Sequence, residues 1–287
     1  MKADTQHTVN RPSLFARLAF AASLAVTISA CAPEQSAPMQ TGVPAMQHPD
    51  WSGQWNQQMQ RTEWPTNGYA VDGPPPLNEE YMARWQETRA ESEAGIPPDE
   101  PTQRCLPQGM PRIMKAVYPL ELIVTPDTTY IYAEWNSQFR RIYTDGREWP
   151  DYVLPSFNGY SIGEWHDDDG DDVYDRLAVE TRHLKGPRVY DGSVVPFHDN
   201  NATVILEDIR RIDENTMMDT VTTIDDALSE PWVVEQYYGR EEEVIWQEYA
   251  CAENNSQLRL GDEWYFIADD GTLEPTRQGQ PRLVPEF

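Results

Sequence analysis

Basic residues are scarce in this chain, 22 Lys and Arg against 48 Asp and Glu, yet Arg140, Arg141 and Arg147 fall close together. A guanidinium grips a carboxylate through two parallel hydrogen bonds, so this cluster marks where an acidic or amphiphilic ligand would be oriented. Tyr130, Tyr132, Glu134, Phe139 and Trp165 lie nearby and supply aromatic surface for such a ligand. Arg147 follows Asp145-Gly146, a turn in which glycine takes positive φ and Asp145 bonds its own backbone.

Acid–base chemistry has a second set of candidates. His198 beside Asp199, with Glu207 on the following strand, could transfer protons near neutral pH, and His166 with Asp145 is the alternative pair. A lyase, isomerase or hydrolase would use such a pair; a loop histidine capped by Asp199 would not. Gly159-Tyr-Ser-Ile-Gly163 has the form G-x-S-x-G, but a strand and an acidic loop follow it where a nucleophile elbow needs a helix, which excludes a serine hydrolase. No two histidines have the close spacing of a zinc site. Five aspartates fall between Asp167 and Asp172, and Asp167, Asp169 and Asp171 could ligate Ca²⁺. Their spacing is not that of an EF-hand, and a solvated hairpin tip is the other reading. Ca²⁺ is thus the one cofactor the sequence raises.

Short alternating runs must position these residues. From Leu120 onward, segments rich in Val, Ile, Tyr, Trp and Thr alternate with turn residues: 120–125, 129–135, 139–144, 160–166, 176–183, 203–211, 217–224, 232–238, 244–251 and 264–267. About ten strands of this kind specify an all-β fold, an antiparallel lipocalin-like β-barrel or a sandwich. One helix is expected near 78–95, capped by Asn78, ended by Gly95, and apolar only at Tyr81, Met82 and Trp85, so it lies on a surface. A two-residue turn at Asn136-Ser137 would pair Tyr132 with Arg141. Tyr130, Tyr132, Glu134, Phe139, Arg141 and Tyr143 would then share one face, leaving Ile131, Ala133, Trp135, Gln138, Arg140 and Ile142 for the core.

The N-terminus carries an address. Lys2, Arg11 and Arg17 precede an apolar run, Leu18–Ala30, too short to span a bilayer but suited to a secretory signal over residues 1–30. Ile28-Ser29-Ala30-Cys31 has the shape of a lipobox, so Cys31 is expected to be acylated. Ala32 after it points to the outer membrane, at the periplasmic face of a bacterial envelope. Residues 31–50 then form a flexible tether and 51–287 a single domain. The leader holds three of the 22 basic and one of the 48 acidic residues, leaving −28 on the mature chain. That acidity excludes nucleic acid as a partner, and contact with membrane is expected only through the lipid anchor. Cys105 and Cys251 remain as a disulfide pair or as two buried thiols.

Trp51-Ser-Gly-Gln-Trp55 resembles the opening of lipocalin-like barrels, where the second Trp crosses the floor. Cys105-Leu-Pro-Gln-Gly-Met-Pro111, Arg140 to Arg147, Gly159 to Trp165, Glu207-Asp-Ile-Arg-Arg211, Pro231-Trp232 and Glu248-Tyr-Ala-Cys251 complete a similarity to an uncharacterised family of secreted bacterial proteins. The likeness spans nearly the whole mature chain and implies the barrel and the Cys pairing. It implies no activity. Two departures stand out: His166 and the acidic loop follow Trp165, and Asp208 replaces an arginine of the family pattern. Three functions remain open: a ligand-binding envelope lipoprotein, an envelope enzyme, and a structural envelope protein.

Overall fold

The computed structural model describes residues 46–58, 75–96, 98–115, 118–243, 245–254 and 256–284. The signal segment, Cys31 and most of the tether lie outside the described residues. Nine strands close into a barrel: β1 (Gln54–Gln57), β2 (Leu120–Val124), β3 (Thr128–Ala133), β4 (Gln138–Tyr143), β5 (Tyr160–His166), β6 (Arg176–Arg182), β7 (Val204–Asp213), β8 (Thr216–Ile224) and β9 (Trp232–Arg240). They neighbour one another in chain order, and β9 pairs back onto β1. The architecture is therefore a barrel and not a sandwich.

The odd strand number has a geometric consequence. Strand direction cannot alternate all the way round a ring of nine, so one neighbouring pair must be parallel. That pair is β4 and β5, matched only at Ile142↔Ser161 and Tyr143↔Ile162. An all-antiparallel barrel is thus corrected at one seam. Parallel neighbours need a long crossover, and residues 144–159 supply it as a Pro-containing loop without a helix. Beyond Ile162, β5 has no named partner on its β4 side.

Alternation sorts the walls as expected. Ile131, Ile142, Leu177, Ile205, Ile209 and Val221 point inward and are almost wholly buried. Trp55 is fully buried in the same core, its Nε1 donating to the Trp51 carbonyl at 2.9 Å. Met110, Ile113 and Met114 enter this core from the segment before β2, and the Tyr238 hydroxyl donates to the Met114 carbonyl at 2.5 Å.

Helix α1 (Glu79–Glu93) starts where the Asn78 side chain accepts from the Tyr81 amide. It buries Tyr81 and Trp85 against Tyr190, Phe197 and Trp232, and its other faces stay in solvent. The strand expected over 244–251 does not form among its described residues. A short helix, α2 (Cys251–Asn254), begins at its end, and a separate three-stranded sheet of β10 (Gln257–Leu260), β11 (Glu263–Ile267) and β12 (Leu273–Pro275) follows. Cys105 and Cys251 are joined as a disulfide. Gln47, assigned to the tether by sequence, exchanges backbone hydrogen bonds with Asp172 and Tyr174, so the chain is docked on the barrel before Trp51.

Candidate functional site

The connection between β3 and β4 differs from a two-residue turn. Glu134 to Ser137 form a tight 3-10 turn with Asn136 and Ser137 at positive φ, and Ala133 pairs with Gln138. The register therefore moves by two residues, and Tyr130, not Tyr132, faces Arg141. Because side chains alternate with period two, a shift of two leaves every face unchanged. Arg140 points into the barrel and Arg141 out of it.

Inside, Arg140 is 1% exposed and its two terminal nitrogens grip the Glu207 carboxylate, one at 2.7 Å. Its Nη2 also reaches Thr181 Oγ1 at 2.9 Å and Ser161 Oγ at 3.4 Å. This explains the G-x-S-x-G run as structure. Ser161 is a buried link in an ion-pair network. A Cβ on Gly159, at φ +68°, would meet the Arg182 carbonyl at 2.5 Å, and one on Gly163 would meet Ile142 at 2.7 Å. Glu207 is thus occupied by Arg140, while His198 belongs to another network: its ring packs on Tyr81, and its Nδ1 accepts the Asn200 amide at 3.1 Å. Asp199 pairs with Arg84 instead. His166 ends β5, where its carbonyl accepts the Asp175 amide. Asp145 is held bidentate by Arg147, whose guanidinium donates at 2.8 and 2.7 Å and keeps that carboxyl below the usual range. None of the proposed acid–base pairs is assembled.

A second acid lies in the barrel. Asp219 is fully buried, next to Gln236 in the β8–β9 register, and neither carboxylate oxygen has a hydrogen-bond partner among the described residues. Burial raises its pKa well above the usual carboxylate value, and the Glu207 charge adds to the rise while Arg140 opposes it. Its inward position was legible in the alternation of Met217, Asp219, Val221 and Thr223. The pH consequence has a definite sign. A carboxyl whose folded pKa exceeds the unfolded value of about 3.9 favours folding at low pH, and that contribution is lost as pH rises through the folded pKa. Asp219→Asn should therefore match the parent protein near pH 4 and become the more stable of the two as pH rises. Thermal melts across pH 4–9 measure this; a variant that loses ground to the parent at high pH would show that the carboxylate is needed.

The acidic loop is largely self-satisfied. Asp167 accepts the amides of Gly170, Asp171 and Asp172, Asp171 accepts that of Val173, and Asp168 pairs with Arg176. The carboxylates that approach one another are Asp167, Asp169 and Asp175, not Asp171, whose oxygen serves its own turn. Asp208, the departure from the family pattern, joins this surface network by accepting from Arg176 and Arg210.

On the outer wall, the aromatic face forms as expected. Arg141 lies over the Tyr130 ring at 5.8 Å, and Tyr132 packs on Phe139 at 4.8 Å. Glu134 leaves this set, because its carboxylate turns to accept the Gln247 amide. Tyr143 and Tyr160 pack together at 4.9 Å, and Arg147 covers Tyr143 at 3.7 Å and donates to the Tyr160 hydroxyl at 3.2 Å. These three side chains form a ridge that borders two grooves, Tyr143 and Tyr160 lining one and Arg147 the other. One groove, of about 420 Å³, is lined by Phe139, Arg141, Tyr143, Phe157, Asn158 and Tyr160. The other, of about 870 Å³, holds Arg147 and Trp165 and runs along the unpaired edge of β5. Both volumes suit small molecules. Phe157 and Lys185 escape a sequence reading because they sit in loops without periodicity; Lys185 lies 4.9 Å over the Phe157 ring. Neither protein-family models nor curated proteins match the chain.

Proposed function

We propose that this is a lipid-anchored protein of the bacterial envelope that binds a small amphiphilic anion in the groove over β4. One observation carries the reading. Arg141 and Lys185 are exposed cations with no carboxylate partner among the described residues of a chain whose net charge is −26; Arg141 lines the groove, and Lys185 lies over the ring of Phe157, which lines it too. Most other arginines here are tied to Asp or Glu. A free guanidinium on an aromatic floor offers an anionic head its partner and an apolar body its surface: the head meets Arg141, and the body lies against Phe139, Tyr143, Phe157 and Tyr160. The lumen itself is filled by core side chains and the Arg140–Glu207 pair, which favours a site on the wall over one inside. Arg147 is committed to Asp145 and contributes shape.

The full-length protein titrated with 8-anilinonaphthalene-1-sulfonate, an amphiphilic aromatic anion, should give saturable fluorescence enhancement. Arg141→Gln should weaken that binding about tenfold or more, the scale of a lost charge-assisted hydrogen bond, and Lys185→Gln by less. Affinities unchanged in both variants would remove the proposal.

A further inference from the structure

The 870 Å³ groove on the far side of the Tyr143–Arg147–Tyr160 ridge has the opposite electrical character. Its charged residues are Arg147, Glu164, Glu180 and Glu207. Arg147 is neutralised by Asp145, Glu180 by Arg182 and Glu207 by Arg140, which leaves Glu164. Glu164 is exposed on β5 and has no ion pair or side-chain hydrogen bond among the described residues.

Beside it lies a nest of rings. Trp165 packs on Trp51 at 4.8 Å and stacks on Tyr174 at 6.0 Å, and His48 sits 5.8 Å from Trp165 and 5.2 Å from Tyr174. Trp165 is only 8% exposed, yet its Nε1 has no acceptor among the described residues, and the Nδ1 of His48 is likewise unpartnered. A buried polar atom in this condition is destabilising until something bonds it. Burial also lowers the His48 pKa, which keeps the imidazole neutral and adds no positive charge.

From this geometry we infer a second binding site, in the groove beside β5, for a small organic ammonium ion that carries a hydrogen-bond acceptor. The cation lies near Glu164 against the faces of the aromatic nest, where ring quadrupole and carboxylate attract it together. Its acceptor takes the Trp165 Nε1–H. The chain's strong negative charge raises the local concentration of cations and steers them in, an effect that falls as ionic strength rises. Arg182 already lies 4.4 Å over Trp149, whose ring lines the same groove, so this wall binds a cation on a ring in its own structure. The site is independent of the anion groove: it uses different residues and the opposite charge.

Choline combines an ammonium with a hydroxyl acceptor and is the probe of choice. Titrated into the full-length protein at low salt, it should bind saturably by calorimetry and change tryptophan fluorescence. Tetramethylammonium, which lacks the acceptor, should bind more weakly. The neutral isostere 3,3-dimethylbutan-1-ol should not bind. Glu164→Gln, a substitution at an exposed position with no partner to lose, should weaken choline roughly fivefold and leave anilinonaphthalene-sulfonate binding unchanged. The inference is overturned if the neutral isostere binds as well as choline, if choline shows no saturation, or if Glu164→Gln binds choline like the parent.

Discussion

Glu207→Ala should destabilise the protein by about 3–5 kcal/mol, the usual consequence of leaving one partner of a buried ion pair alone. Arg140 is sealed in the barrel with Glu207, at side-chain exposures of 1% and 0%, and cannot turn to water when the carboxylate is removed. Thr181 and Ser161 bond the guanidinium but carry no charge. Asp219 is the nearby acid that can respond. With Glu207 gone, burial still raises its pKa, but the charge that adds to the rise disappears while Arg140 still favours the ionised form. The stability that Asp219 withdraws as pH rises from 4 to 7 should therefore be smaller in the variant than in the parent. Replacing both partners, as Arg140→Met with Glu207→Leu, should cost far less than the single change, because no charge is then stranded. Denaturant melts of the parent and both variants decide the matter. A Glu207→Ala protein as stable as the parent would mean that the pair is not what organises the lumen.

Loss of the disulfide should be the other large effect. Cys105 and Cys251 are 146 residues apart and enclose every barrel strand but β1, from β2 to β9. In the chain-entropy account, closing so long a loop removes about 4–5 kcal/mol of unfolded-state freedom, as an upper limit. The double variant Cys105→Ser, Cys251→Ser avoids leaving a lone thiol and should melt roughly 8–16 °C lower. The loss should be concentrated at the C-terminal end, where the bridge joins α2 to the turn after Pro101–Arg104. Calorimetry gives the shift; a melting temperature within about 2 °C of the parent's would mean the segment is held by its other contacts.

The strands from Leu120 to Tyr238 were legible because a barrel wall has a wet and a dry side, and alternation writes that into the sequence. The same alternation separated Arg140 from Arg141. Helix α1 was legible from Asn78 and the narrow Tyr81–Trp85 stripe. The parallel seam between β4 and β5 was not, because strand direction leaves no local trace; only the count of nine demands it. The 244–251 segment reads as a strand by composition, but its described residues join no sheet and it ends in the disulfide. Turn length at Asn136-Ser137 escapes the sequence because two consecutive non-glycine residues adopt positive φ there, and only Asn136 is of a type that favours it. The grooves were half legible. Arg141 and the tyrosines announced themselves, whereas His48, Phe157, Tyr174 and Lys185 are brought in by loops.

The most direct test of the anion groove is a crystal structure of the protein soaked with 8-anilinonaphthalene-1-sulfonate. The sulfonate is expected on Arg141 and the ring system against Phe157, with the lumen unchanged and the Arg140–Glu207 pair intact. Density for the probe inside the barrel, or beside β5 beyond the Tyr143–Arg147–Tyr160 ridge, would contradict it.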